Sequence, residues 1–146
     1  MTAPLVSVVI CISDGEAYLA AALDSVAAQN QPGLEVVVVD DGSVDGSRAI
    51  AAEHRLRPVM VVQAHQGHGA ALNAGIARAN APLVSFIDQD DIWPAGRLPR
   101  MMAALAADPA ADYVFGRVVN TNALMEPIAE ALPGRLLGAM VIRREA

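Results

Sequence analysis

The sequence is poor in several residue types, and each shortage excludes a class of protein. It contains no lysine and a single cysteine, Cys11, and aromatic residues make up 3% of it. One cysteine allows no disulfide within the chain, so the reducing cytoplasm is the expected compartment. Cys11 lies in an apolar run, where a free cysteine usually behaves as a small buried hydrophobe. We therefore assign it to the core and not to catalysis.

Long hydrophobic runs are also missing. The longest ones, residues 5–12 and 34–39, are less than half of the roughly 18 residues that a membrane span requires. The start of the chain has no basic segment followed by a small-residue cleavage site, so no signal peptide is expected. The sequence therefore predicts neither a membrane span nor a leader.

Positive charge is scarce. The 10 arginines face 16 acidic residues, which gives a net charge of −6 and a pI near 4.8. Such a chain lacks the basic surface that a nucleic-acid-binding protein uses to neutralise phosphates. An anionic ligand would have to be held by backbone N–H groups or by a bound cation.

Apolar residues are abundant, at 54% of 146 residues, and alanine dominates them. This length and composition predict one domain, residues 1–146, with helices packed closely on a sheet. Buried strands alternate with amphipathic helices four times, which is typical of a mostly parallel sheet with right-handed crossovers. The predicted fold class is a Rossmann-like α/β sandwich. Predicted strands cover residues 5–12, 34–39, 59–63, 82–87, 113–119 and 137–142, and predicted helices cover 16–29, about 43–54, 70–79 and 97–107.

Three of the first four predicted strands end in acidic or turn-forming residues. These are Ser13-Asp14, Asp40-Asp41 and the stretch from Asp88 to Asp91. Because ligands bind at the carboxyl ends of parallel strands, all three clusters should lie along one edge of the sheet. That edge is the predicted binding site.

The stretch Asp88-Gln89-Asp90-Asp91 places three carboxylates within four residues. Like charges this close are costly unless a cation lies among them, and oxygen ligands suit Mg²⁺ or Mn²⁺. A divalent ion here could hold a diphosphate and stabilise it as a leaving group. The alternatives are a solvated acidic loop, or Asp90 serving as the cap of the following helix.

A second acidic stretch, Asp40 to Gly46, follows the second strand. Its carboxylates could accept hydrogen bonds from a ribose hydroxyl or a base N–H, and Asp41 is the residue we assign to a ligand. The alternative is a plain strand-to-helix turn, with Ser43 or Asp45 capping the next helix. Neighbouring features are assigned structural roles: His65 and His68 to a solvated loop, and Trp93-Pro94 to anchoring the loop after the acidic stretch.

Four motifs in order resemble those of the inverting family 2 glycosyltransferases. Residues 6–10 match the first strand of that family, and residues 38–46 match its "VVDDGSxDG" signature. Residues 67–76 are similar to its "GxxxARNxGI" element, and residues 86–94 to its "FLDxDDxWxP" element. The resemblance covers nearly the whole chain.

The resemblance implies a GT-A fold, a nucleotide-diphosphate sugar donor of the UDP or GDP type, and Mg²⁺ or Mn²⁺. It places Asp41 on the nucleobase, with Asp40 beside it, and Asp88 near the ribose or the metal. Asp90 would hold the metal, with Asp91 as the competitor for that role. The backbone around Ile12 and Ser13 would line the base pocket.

The sequence departs from the family pattern at three places. Cys11-Ile12-Ser13-Asp14 stands where Pro-Thr-Tyr-Asn is usual, and Leu72 replaces an arginine before Asn73. The chain is also expected to stop before the region that supplies the acceptor pocket and the general base. We assign no base, because the remaining acidic residues match no motif: Asp108, Asp112, Glu126, Glu130 and Glu145.

Three other functions are consistent with parts of the pattern. The first is a shortened module that binds a nucleotide sugar without turnover. A signalling receiver is disfavoured because it needs a lysine, and a nucleotidyltransferase because its basic glycine-rich loop after the first strand is missing.

Overall fold

A computed structural model of the protein describes residues 3–122, 126–128, 132–133 and 137–145. Within these ranges the chain alternates strands and helices and adds a short second sheet. The strands are β1 (Val6–Ile12), β2 (Leu34–Asp41), β3 (Val59–Gln63), β4 (Leu83–Phe86), β5 (Tyr113–Phe115), β6 (Arg117–Val118), β7 (Leu132–Pro133) and β8 (Met140–Arg143). The helices are α1 (Leu19–Ala27), α2 (Ser47–Glu53), α3 (His68–Arg78) and α4 (Arg97–Ala107), and a 3₁₀ turn spans Leu137–Ala139.

Among the described residues, the main sheet has six strands in the order β3-β2-β1-β4-β8-β5. The first four are parallel, and β8 runs antiparallel to both β4 and β5. β1 lies in the middle of the parallel part and is almost entirely buried, which explains why its sequence is apolar apart from Ser7. The predicted α/β fold with a mostly parallel sheet is confirmed.

Helices cover both faces of the sheet. On one face, side chains of α1, α2 and α4 pack against Val8 and Ile10 of β1 and Val38 of β2. On the other face, α3 packs against Val9 of β1 and Val37 of β2. This arrangement gives the three layers that alternating buried strands require.

α3 approaches the sheet closely because Gly75 has no side chain. A Cβ placed on Gly75 would overlap Cγ1 of Val9 and would lie 3.1 Å from Cγ2 of Val39. Both valines are buried, Val9 in β1 and Val39 in β2. A glycine at this position therefore sets the distance between α3 and the sheet.

Two predicted boundaries were wrong at the edge of the sheet where we predict the binding site. α1 begins at Leu19, not at Glu16, because Tyr18 and Leu19 donate their backbone N–H groups to Gly15 in a preceding turn. β2 continues beyond Val39 to Asp41, because Asp40 and Asp41 pair with Val62 and Gln63 of β3.

Predictions in the second half of the chain also need correction. The strand expected over residues 113–119 breaks at Gly116, whose N–H is donated to the carbonyl of Ala139 at 2.7 Å, and β6 then pairs with β7. The strand expected from residue 137 begins at Met140, because Leu137–Ala139 form a 3₁₀ turn. Glu130 lies outside the described residues.

The predicted cap of α2 was also wrong. Gly46 occupies the N-cap position without a side-chain cap, although Asp45 Oδ1 accepts a hydrogen bond from the Ser47 N–H at 2.9 Å. Within the described part of the chain, every helix is too short or too polar to cross a bilayer.

Candidate functional site

The acidic stretch forms the loop that follows β4. A turn closes it, with the Asp91 N–H donated to the carbonyl of Asp88 at 3.1 Å, and the side chains of Asp88 and Asp90 are exposed. A Cβ placed on Gly138 would lie 3.5 Å from Asp91 Oδ2 and 3.8 Å from Asp88 Oδ2. Two carboxylate oxygens therefore approach the same point, which lies beside the 3₁₀ turn that precedes β8.

The electrostatics of this loop are those of crowded carboxylates. Partial burial and the charges of Asp88 and Asp90 raise the pKa of Asp91, while Arg97 opposes the rise. Within the described ranges, no three His, Cys, Asp or Glu side chains are grouped closely enough to enclose a metal ion. An ion here would take part of its coordination from a ligand, as Mg²⁺ does when it bridges one or two carboxylates and substrate phosphates.

Arg97, the first residue of α4, carries a positive charge next to the acidic loop. It is 9% exposed, and its guanidinium carbon lies 4.1 Å from the centre of the Trp93 ring. Its Nη2 donates to the carbonyl of Gly138 at 2.8 Å. Burial lowers the pKa of Arg97 to about 10, with Asp91 opposing, so the side chain is protonated at neutral pH. Arg97 thus ties the 3₁₀ turn to the start of α4.

Trp93 is buried, and hydrogen bonds from α1 and from the residues just after it hold the Trp93 loop in place. The Trp93 N–H is donated to Ser25 Oγ at 3.0 Å, and Gln29 bonds both the Pro94 carbonyl and the Leu98 N–H. These contacts confirm that Trp93-Pro94 anchors the loop after the acidic stretch. They also place the Trp93 ring in the core, away from a base-stacking position.

Replacing Arg97 with lysine should destabilise the protein by about 2 kcal/mol. Lysine keeps the charge but loses the flat stacking on Trp93 and the directed bond to Gly138, which together are worth about that much. Urea denaturation at pH 7 measures the change. Arg100→Lys is the matched control, because Arg100 lies exposed on the same helix and should give less than about 0.5 kcal/mol. Equal losses in both variants would contradict this role for Arg97.

Gln89 connects the acidic loop to the residue that follows β1. Its Oε1 accepts the Ser13 N–H at 2.9 Å, and its Nε2 donates to the Ser13 carbonyl at 3.1 Å. The predicted meeting of the β1 and β4 ends at one edge is thus confirmed by direct contact. Sequence reasoning missed Gln89, because a glutamine between aspartates gives no pattern signal.

A cavity of about 200 Å³ opens between the ends of β1 and β2 and the start of α3. Ile12 and Ser13, the two residues predicted to line a base pocket, both line this cavity. Burial, with the nearby Asp88 and Asp41, raises the pKa of Cys11 to about 12, so its thiol stays protonated. The lining residues are Cys11, Ile12, Ser13, Asp41, His65, His68, Ala71 and Gln89.

Asp41 borders this cavity, but its carboxylate already accepts several internal hydrogen bonds. Its Oδ1 accepts from Gln63 Nε2 at 2.7 Å and from the Gln66 N–H at 2.8 Å, and its Oδ2 accepts from the Gly67 N–H at 2.9 Å. The bonds from Gln66 and then Gln63 lower the pKa of Asp41. The solvent-exposed ring of His65 also lies 3.1 Å from Oδ2. Asp41 thus holds the β3–α3 loop in place.

Asp40 is fully buried and accepts bonds from its own segment. The Ser43 N–H donates to Oδ1 at 2.8 Å, and Arg48 Nε pairs with Oδ2. Burial alone would raise the pKa of Asp40, but the bonds from Ser43 and Arg48 outweigh it and the pKa is lowered. Asp40 therefore shapes the turn after β2, and its carboxylate faces partners within the protein.

Three of the acidic residues considered as a base lie far from the acidic loop. Asp112 and Glu145 line a separate cavity with Leu5 and Pro82, which precede β1 and β4 at the opposite end of the sheet. Asp108 follows the last turn of α4, and α4 begins at the acidic loop and runs away from it for 11 residues, or about 16 Å. Glu126 is exposed and bonds Asn122 in the segment between β6 and β7.

Comparison with known proteins assigns the chain to a family. The sequence model of glycosyl transferase family 2 matches residues 7–127. An uncharacterized glycosyltransferase of Nostoc sp. is 40% identical over 103 residues, which cover 66% of this chain and 31% of that protein. The chain thus spans about a third of the length of this relative, and half that of a mycobacterial one.

Solved structures of glycosyltransferases share the fold. S. aureus TarS 1-349 in complex with UDP-GlcNAc has a TM-score of 0.69 and 27% identity, over 96% of this chain and 45% of that one. The mannosyltransferase PcManGT from Pyrobaculum calidifontis, in complex with GDP-Man and Mn²⁺, has a TM-score of 0.68 and 29% identity, over 79% of this chain and 36% of that one. The expected GT-A architecture is confirmed. The chain belongs to glycosyl transferase family 2.

Proposed function

We propose that this chain binds the donor of a sugar-transfer reaction, a nucleotide-diphosphate sugar of the UDP or GDP type. The sugar would then pass to an acceptor hydroxyl with inversion. The observation that carries the proposal is the contact between two features at one edge of the sheet. A small cavity at the ends of β1 and β2 adjoins the exposed carboxylates of the 88–91 loop, and Gln89 belongs to both.

The cavity is the proposed position of the nucleoside. Ile12 and Ser13 form one wall, and α3 begins at His68 on the other side. The carboxylate of Asp41 accepts hydrogen bonds from the β3–α3 loop, so its first proposed role is to hold this wall of the base pocket. Its second proposed role is to contact the base at the border of the cavity. Asp40 would support the neighbouring turn after β2 through its bonds from Ser43 and Arg48. The related structures with UDP-GlcNAc and with GDP-Man bound support a donor of this class.

The acidic loop is the proposed position of a divalent cation and the diphosphate. Asp90 and Asp88, with Asp91 as a further candidate, would hold Mg²⁺ or Mn²⁺, because these hard ions prefer carboxylate oxygens. The convergence of Asp88 and Asp91 near Gly138 fits such a donor set. A bound cation would neutralise charge on the departing diphosphate. The reducing cytoplasm stays the predicted compartment.

One observation favours a second candidate, a module that binds the donor without turnover. Asp108, Asp112 and Glu145 lie at the far end of the sheet from the acidic loop. A general base must come within hydrogen-bond reach of the acceptor hydroxyl, which these three do not offer. Release of sugar from UDP-GlcNAc or GDP-Man by this chain, abolished in Asp90→Ala, would reject this candidate.

Calorimetric titration of UDP and GDP, with Mn²⁺ and with EDTA, tests donor binding directly. We expect at least one nucleotide to bind in Mn²⁺, and Asp90→Ala to weaken that binding by more than about 100-fold. A direct ligand should cost more than the 10–100-fold typical of residues that only support a ligand. The matched control is Asp108→Ala, which removes an aspartate at the far end and should leave the affinity unchanged. Binding that is equally tight in EDTA would contradict the cation site.

A further inference from the structure

Gln89 makes two hydrogen bonds to the same residue across the site. Its carboxamide oxygen accepts from the backbone N–H of Ser13 at 2.9 Å, and its nitrogen donates to the backbone carbonyl of Ser13 at 3.1 Å. The oxygen and the nitrogen of the carboxamide are both hydrogen-bonded, so the group is held in one orientation. The same pattern of one accepted and one donated bond joins residues of two paired strands. Residues 76 positions apart in sequence are joined in this way.

Gly15 provides the space that Gln89 occupies. A Cβ on Gly15 would overlap Oε1 and Cδ of Gln89 and would lie 2.9 Å from Nε2. The φ angle of Gly15 is not positive, so a larger residue is excluded by the Gln89 side chain and not by the backbone conformation. Gly15 is itself fixed, because its buried N–H is donated to Ser47 Oγ at 2.8 Å.

The position of Gln89 between two aspartates determines what its contact with Ser13 can do. Gln89 stands between Asp88 and Asp90, and its side chain lines the cavity together with Ile12 and Ser13. One side chain therefore connects the carboxylates of the loop to the wall of the nucleoside cavity. The Ser13 N–H is already donated to Gln89, so it serves the loop and is not free for a base.

We propose that Gln89 is a positioning residue of the donor site, which holds Asp88 and Asp90 at a fixed distance from the nucleoside cavity. The inference rests on the proposed function and adds to it. A donor that reaches both places at once needs that distance to be correct, whereas a nucleotide held by the cavity alone does not. Gln89 therefore acts on the cation-dependent part of donor affinity.

The test compares UDP and GDP binding in Mn²⁺ and in EDTA for Gln89→Met, which keeps the volume but removes both hydrogen bonds. The Kd ratio, defined as the Kd in EDTA divided by the Kd in Mn²⁺, measures how much the cation strengthens binding. We expect this ratio to fall about tenfold, since residues that support metal ligands typically contribute 10–100-fold. The Kd in EDTA should change less than about twofold. NMR hydrogen exchange should show a faster-exchanging Ser13 amide in the variant, because its acceptor is gone.

Gly15→Ala breaks the same contact from the other side and leaves Gln89 in the sequence. It should lower the Kd ratio as Gln89→Met does, but should have little effect in a Gln89→Ala background, where the space is open. Gln31→Ala is the matched control, since it removes a glutamine bonded to the Pro32 carbonyl at the opposite end of the sheet.

Each other outcome overturns the inference in a recognisable way. An unchanged Kd ratio with faster Ser13 exchange would show that the bonds break without affecting the donor, and the proposed function would stand. An equal loss of affinity in Mn²⁺ and EDTA would indicate a general structural role. If the wild type bound neither nucleotide, the proposed function would fail and the inference with it.

Discussion

Replacing Gly75 with alanine should destabilise the protein by about 2 kcal/mol, although alanine is the better helix former. The new Cβ would overlap Val9 Cγ1 and crowd Val39 Cγ2, and both valines are short, branched and buried in the central strands. Overpacking costs about 1–3 kcal/mol, and an overlap with two buried, branched side chains should lie at the upper end, about 3 kcal/mol. The helix gain of roughly 1 kcal/mol then leaves a net loss of about 2 kcal/mol. Urea denaturation followed by circular dichroism measures the difference.

The same substitution at Gly69 is the matched control. Gly69 lies in the first turn of the same helix, and no atom lies within 4 Å of a Cβ placed on it. Alanine there should stabilise the protein by about 0.5–1 kcal/mol, because it reduces the freedom of the unfolded chain without strain. A Gly75→Ala variant as stable as Gly69→Ala would mean that α3 can move away from the sheet at little cost.

Replacing Asp41 with asparagine should make the protein less stable at neutral pH and remove part of its acid sensitivity. Asparagine keeps the shape but loses one acceptor oxygen, and its NH₂ group would face the donors that Asp41 now accepts. The lowered pKa of Asp41 means that its contribution is complete above about pH 3.9, the unfolded value, and is lost as the pH falls through the folded value. The stability difference between wild type and variant should therefore be largest near pH 7 and shrink below pH 4.

Urea denaturation at pH 7, 5, 4 and 3.5 checks this expectation. Asp108→Asn is the control, because Asp108 is exposed and its side chain accepts the nearby Ala110 N–H. It should change stability by less than about 0.5 kcal/mol at pH 7. A constant gap between wild type and Asp41→Asn across the series would show that the bonds to the β3–α3 loop do not depend on the charge of Asp41.

The layered fold could be predicted from sequence wherever one periodicity extended without interruption. β3 and α4 begin and end where their patterns predicted, at Val59–Gln63 and Arg97–Ala107. Boundaries failed where contacts distant in sequence decide them. The pairing of Asp40 and Asp41 with β3 extends β2 through polar residues, and the bond from Gly116 to Ala139 interrupts a run that reads as one strand. The local propensities of these residues give no information about either contact.

The residues of the candidate site could be predicted from the sequence better than the hydrogen bonds between them. Three strand ends with acidic or turn residues, read with parallel topology, located the edge and the cavity. The hydrogen bonds that Asp40 and Asp41 accept within the protein were not predictable. The donors to Asp40 are residues 43 and 48, and those to Asp41 come from the end of β3 and the β3–α3 loop. Gln89 and Arg97 were missed for the same reason, since each acts through a backbone carbonyl or N–H that carries no side-chain signature.

The position of β8 has a consequence for how the sheet is completed during folding. Residues 140–143 fill the gap between β4 and β5, which do not pair with each other. Until those residues are available, β4 presents an unpaired row of backbone groups along Val84 and Ser85, which in the finished sheet are buried. An open apolar strand of this kind invites pairing with another chain. Variants that slow the docking of β8 are therefore expected to reduce soluble yield before they affect any property of the folded protein.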